Sequence, residues 1–150
     1  MARKVTLSCL AALLLIAVMA RADNLKDFSG GASQRDEVEL LARTIHAEAR
    51  GEPYIGKVAV GAVVINRTNS SEFPKTITSV IYQPWAFTAV HDGQINLTPN
   101  NEAYRAAEDA LSGWDPSGGA LYYYNPNDIT STWILSRPVI TNIGKHVFAR

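Results

Sequence analysis

Asp36-Glu37-Val38-Glu39-Leu40-Leu41-Ala42-Arg43-Thr44-Ile45-His46-Ala47-Glu48-Ala49-Arg50-Gly51 decides how the chain is read. Asp36 and Glu39 make a capping-box-like start, Val38, Leu41, Ala42, Ile45 and Ala49 recur at helical spacing, and Gly51 is a stop, so the stretch predicts an amphipathic helix. Downstream, Gly56 to Arg67 is almost wholly small and apolar. Length there favours a buried helix and β-branching a buried strand, and periodicity does not separate them. A short helix is expected from about Thr76 to Tyr82. Thr98-Pro99 reads as a cap with proline at the first helical position, and Tyr104, Ala107 and Leu111 carry that helix to Gly113, with Arg105 spaced to pair with Glu102, Glu108 and Asp109. From Asp115 the character changes. Ala120 to Tyr124, Thr130 to Leu135 and Val139 to Phe148 are short β-prone runs between turn residues, which predicts a small sheet or hairpin. Helices first and strands later make an α+β domain.

The 150 residues are about one domain's worth of chain, and 47% apolar with 19% charged is an ordinary globular balance. Basic and acidic residues cancel at 14 each, so the broad basic surface that nucleic acid requires is missing. The N-terminus has Arg3 and Lys4, an apolar run from Val5 to Ala20 broken only by Thr6, Ser8 and Cys9, and then Ala20-Arg21-Ala22, the pattern of a secretory signal peptide over residues 1–22. An uncleaved anchor helix is the alternative, though the run is short for a full span. Removing Arg3, Lys4 and Arg21 from the 14 basic residues leaves eleven, so the exported part is mildly acidic. Cys9, the sole cysteine, leaves with the leader, and the rest depends on its core rather than on disulfides. Residues 23–35, with Ser29-Gly30-Gly31-Ala32-Ser33, have the composition of a flexible linker, and residues 36–150 form the folded domain.

Glu48 lies about 80° from the centre of the apolar stripe, on the margin between the buried and wet faces. A half-desolvated carboxyl there stays protonated near neutrality and suits a general acid for glycosidic cleavage; the alternative is an ordinary exposed helix glutamate. Glu52 stands four residues on. It shares Glu48's face as a paired carboxylate if the helix continues, or holds a turn if Gly51 and Pro53 end it. His46, Glu48, His91 and His146 do not make the His-Glu-x-x-His pattern of a metal site, no phosphate loop is present, and no cofactor is expected. Tyr82, Trp85, Phe87, Trp114, Tyr122, Tyr123, Tyr124 and Trp133 are interleaved with Gln83, His91, Asp92, Gln94 and Asn125. Rings and amides in this mixture suit either a saccharide cleft or, for many of the rings, a core. On a strand, Tyr123 would face opposite to Tyr122 and Tyr124.

The run from Leu41 to Arg67, containing His46-Ala47-Glu48-Ala49-Arg50-Gly51-Glu52-Pro53, closely resembles the start of the catalytic domain of the SleB/CwlJ family of bacterial cell-wall hydrolases. Ile81-Tyr-Gln-Pro84, Phe87-Thr-Ala-Val-His-Asp-Gly93, Gly118-Gly-Ala-Leu-Tyr-Tyr-Tyr-Asn125-Pro126 and Ile143-Gly-Lys-His146-Val-Phe148 continue the resemblance in order. It implies a lysozyme-like, lytic-transglycosylase-like domain, mainly helical with a few short strands, acting on the glycan strands of peptidoglycan as a monomer. Glu48 then matches the catalytic glutamate. It protonates the bond between N-acetylmuramic acid and N-acetylglucosamine, and the muramic 6-hydroxyl closes on C1 to a 1,6-anhydro end. Members acting on spores take a cortex marked by muramic-δ-lactam. Glu52, Asn66, Gln83, Trp85, Phe87, Asp92, Tyr122, Tyr124 and Asn125 are the expected substrate contacts. Trp85-Ala86-Phe87 departs from the family's common Gln-Phe pair. A water-using muramidase with Glu52 or Asp92 as second carboxylate, a zinc amidase, and a non-catalytic wall-binding module are the rival readings.

Overall fold

Helix α1 runs through residues 33–48 in the computed structural model, which describes residues 33–129 and 131–150. It starts inside the stretch read as a linker; the leader, Cys9 and residues 23–32 lie outside the described residues. Leu41, Ala42, Ile45 and Ala49 have no accessible surface, so the stripe set by sequence spacing is the buried face. The chain leaves α1 through a turn in which the Glu52 N–H donates to the Ala49 carbonyl at 3.1 Å.

Helix α2, Tyr54–Asn69, settles the ambiguous apolar run as a helix buried from Gly56 through Val64. Being covered on all sides, it carries no amphipathic signal, which is why period alone was silent. Its one cation within that span, Lys57, lies along the packed surface and donates to Glu102 Oε2 at 2.6 Å. Gly61 is where helices come closest: a Cβ there would stand 2.9 Å from Ile45 Cδ1 and 3.1 Å from Ala110 Cβ. Gly61→Val is therefore expected to cost about 2–3 kcal/mol through overpacking, read as a lower midpoint in urea with an unchanged slope.

Helix α3, Ile77–Ile81, begins at Thr76, whose hydroxyl accepts from the Ser79 N–H. Helix α4, Thr88–His91, and a 3-10 turn at Gln94–Asn96 follow, neither anticipated from sequence. Helix α5, Asn101–Leu111, is capped by Asn100, whose Oδ1 accepts from the Ala103 N–H at 2.9 Å. The cap is thus not Thr98, because Asn100 supplies the acceptor one step before the helix. Arg105 makes none of the expected ion pairs; its guanidinium lies 5.6 Å from the Tyr54 ring, while Glu102 pairs with Lys57 and Asp109 accepts from the Tyr54 hydroxyl.

Strands β1, Tyr122–Tyr124, β2, Val139–Ile143, and β3, His146–Ala149, form an antiparallel sheet in the order β1-β3-β2. Tyr123 is opposite Phe148, and Asn142 opposite Val147. Residues 131–135 of the β-prone run Thr130–Leu135 are not a strand: Thr132–Ser136 is a 3-10 helix whose Trp133 packs edge-on against Tyr122. Among the described residues no helix is long and apolar enough to cross a membrane.

Candidate active site

Glu48 closes α1, half-buried, and its two carboxyl oxygens are held from two sides. Oε1 accepts from the Ala89 N–H at 2.9 Å, a first-turn amide of α4 that has no partner within its own helix. Oε2 accepts from the Tyr123 hydroxyl at 3.0 Å. Burial pushes the Glu48 carboxyl above the ordinary carboxylate range; the two hydrogen bonds pull the other way, the Asp92 charge adds to the rise, and Arg67 opposes it.

Tyr123 reaches Glu48 because it is the middle residue of β1, pointing to the face opposite Tyr122 and Tyr124. Its ring rests against His146 and Phe148 of β3, with centroids 5.0 Å and 6.0 Å away. Burial and the Glu48 charge hold its hydroxyl well above the usual phenol range, so it remains a donor. Burial also lowers the His146 imidazole, which stands neutral behind Tyr123, against the charge of Glu52. Removing the Tyr123 donor withdraws a contact that favours ionised Glu48, so Tyr123→Phe should raise the Glu48 pKa further. Its alkaline limb of kcat/KM is expected at higher pH than wild type, and a limb that moves down refutes the assignment.

Arg67, at the end of α2, is 7% exposed and packs its guanidinium 5.1 Å from the Phe73 ring, 5.2 Å from Phe87 and 5.7 Å from Tyr122, while Nε donates to the Leu121 carbonyl at 2.8 Å. Burial lowers its pKa, and the neighbouring Tyr123, Tyr122 and Glu48 oppose that shift. Sequence reading passed over both Tyr123 and Arg67 as site residues. The available signal for Arg67 was a cation ending an otherwise apolar helix.

The expected substrate contacts divide. Glu52 is 7% exposed and its Oε2 accepts from the Lys145 N–H at 2.9 Å, so it holds the turn between β2 and β3 instead of pairing with Glu48. Asn66 donates to Asp115 Oδ2 at 2.9 Å and to the Ala120 carbonyl at 3.1 Å, fixing the loop before β1. Phe87 is 2% exposed and backs Arg67 from the core side. Asn125 caps its own turn, accepting from the Asn127 N–H. Asp92 is exposed, accepts from the backbone and side chain of Gln94, and is held below the usual range by those bonds. Gln83 and Tyr124 are half-buried. Trp85 is 84% exposed at φ 63°, its ring stacked 4.4 Å from His91 and its N–H donating to His91 Nε2 at 3.2 Å. Among the described residues no group of three histidines, aspartates or glutamates is close enough to hold a metal.

Residues 51–149 match the family model described as Cell Wall Hydrolase. The chain belongs to the cell wall hydrolase family. Glu48 stands three residues before the matched segment, joined to it through Ala89, Tyr123 and the charge of Arg67. Among relatives, the spore cortex-lytic enzyme of Bacillus cereus is 56% identical over 120 residues, covering 80% of this chain and 46% of that protein. The chain thus spans about half the length of that curated relative. Among solved structures, the catalytic domain of the Bacillus cereus SleB protein matches with a TM-score of 0.73 at 54% identity, over 77% of this chain and 91% of that one. The catalytic domain of the germination-specific lytic transglycosylase SleB from Bacillus anthracis matches with a TM-score of 0.73 at 54% identity, over 76% and 93%. These likenesses accord with the α+β, lysozyme-like class expected of this cell wall hydrolase.

Proposed function

We propose that the chain is an exported peptidoglycan lytic transglycosylase, with residues 1–22 as signal peptide, a linker that gives way to α1 at residue 33, and a monomeric catalytic domain on glycan strands from there to residue 150. The observation that carries this reading is the half-buried Glu48 carboxyl, raised in pKa and oriented by the Ala89 amide and the Tyr123 hydroxyl. Each carboxyl oxygen has a second lone pair, and one of them bears the transferable proton. Glu48 gives that proton to the glycosidic oxygen as the bond to muramic C1 breaks. The muramic 6-hydroxyl attacks C1, and its proton returns to Glu48, which closes the cycle with a 1,6-anhydro end and no water consumed. An internal nucleophile needs one carboxyl rather than two. The engagement of Glu52 with Lys145 and of Asp92 with Gln94 supports that economy.

The relatives' printed names support a cortex substrate in germination, and action outside the cytoplasm follows from any wall substrate. Exposed Trp85, stacked on one face by His91, offers its other face to a sugar ring. The deciding experiment is mass spectrometry of the fragments that the purified protein releases from decoated spore cortex and from vegetative sacculi. Anhydro ends are expected, from cortex alone if the lactam is required. Borohydride-reducible ends would identify a muramidase, free peptides an amidase, and binding without release a wall-binding module.

A further inference from the structure

Arg137 takes no part in the chemistry above, yet the structure holds it with care. It follows the 3-10 helix Thr132–Ser136, and its N–H donates to the Ile134 carbonyl. Its guanidinium carbon lies 4.9 Å from the Tyr122 ring and 5.1 Å from the Trp133 ring, and those two rings meet edge-on at 5.3 Å. Nε is buried without a hydrogen-bond partner. The ion pairs among the described residues are Arg43 with Glu39 and Lys57 with Glu102, so no carboxylate of the described chain faces Arg137. The rings hold the half-buried guanidinium by cation–π contact and leave its charge unpaired, a donor set that suits an incoming anion. Tyr122 also carries the buried Arg67 on its ring, and Arg67 feels the charge of Glu48, so a single ring links Arg137 to the residues around Glu48.

We propose that Arg137 is a recognition residue for a carboxylate on the substrate strand, at a sugar neighbouring the one cleaved. The inference rests on the glycan reading above. Muramoyl residues carry such a group in two forms, the free lactyl carboxylate and the carboxylates of a peptide attached to it. The planar guanidinium suits either, since it pairs with a carboxylate through two parallel N–H donors. The lactam form of muramic acid has no lactyl carboxylate, so Arg137 separates charged strands from uncharged ones.

Three substrates test it: peptide-bearing sacculi, peptide-stripped strands with free lactyl groups, and the stripped strands with those groups blocked as methylamides. Wild type is expected to show a KM about tenfold lower on free than on blocked strands, the size of one charge-assisted hydrogen bond. Arg137→Gln should bring that ratio close to one, Arg137→Lys should keep part of it, and added salt should erode it. A larger advantage for peptide-bearing sacculi places the carboxylate on the peptide, and one for stripped strands places it on the lactyl group. A wild-type ratio of one overturns the proposal without any variant, and so does an Arg137→Gln protein that loses activity on both strands in equal proportion. Pelleting of Glu48→Gln with free and blocked strands reads binding without turnover. Carboxylate-dependent pelleting, with no cleavage by wild type of these strands or of decoated spore cortex, would sink the cleavage reading and leave the Arg137 contact standing.

Discussion

Glu48→Gln releases anhydro fragments about 10²–10⁴-fold more slowly than wild type, the range spanned by a positioned general acid. The substitution keeps the shape and an acceptor for the Ala89 N–H but has no proton to give. It should not unfold the protein, and the sign of its stability effect follows from burial. The Glu48 pKa is raised on folding, so the carboxyl's contribution is fully present below its unfolded value and is lost as pH rises through the folded value. At neutral pH glutamine avoids desolvating a charge, and Glu48→Gln should melt at or above the wild-type temperature, with the difference closing in acid. Activity within tenfold of wild type, or a variant that melts lower at neutral pH than in acid relative to wild type, would contradict the assignment.

Gly144→Ala is expected to cost about 2–4 kcal/mol, from strain and overpacking together. Gly144 has φ 59°, and a Cβ there would stand 2.1 Å from Glu52 Oε2 and 2.8 Å from Pro53 Cδ. The Glu52 carboxylate and the turn between β2 and β3 have been fitted to one another with no room for a methyl group. Glu52→Ala opens that space while losing the Lys145 bond, so the two substitutions should be strongly non-additive, with Gly144→Ala costing much less in the Glu52→Ala protein. Denaturant unfolding of the four proteins measures the coupling. Simple additivity would mean that Glu52 is not what the turn is built around.

Local chemistry explains what was legible in advance. The α1 stripe is visible because one face of that helix is wet; α2 lost its period because it has no wet face. Asn100 and Thr98 both carry cap chemistry, and it is the Asn100 side chain that meets the Ala103 N–H. Thr130 to Leu135 reads as a strand from propensity, but Trp133 and Arg137 pack on Tyr122, and the long-range contact overrides the local preference. At the site, Glu48 was singled out from its position on the helix together with a family resemblance, and the structure holds its carboxyl half-buried between the Ala89 N–H and the Tyr123 hydroxyl. Tyr123 was passed over in favour of its neighbours because its partner lies 75 positions away, and nothing local tells which of three consecutive tyrosines will meet it.

The order β1-β3-β2 carries a consequence for timing. The central strand follows both outer strands in sequence, so neither outer strand has its sheet partner until His146–Ala149 has emerged and inserted between them. The helices, with Glu48 at the end of the first, can collapse earlier, but the tyrosine that completes the acid rides on an outer strand. A nascent chain halted before His146 would therefore carry the Glu48 carboxyl without the sheet that brings the Tyr123 hydroxyl to it.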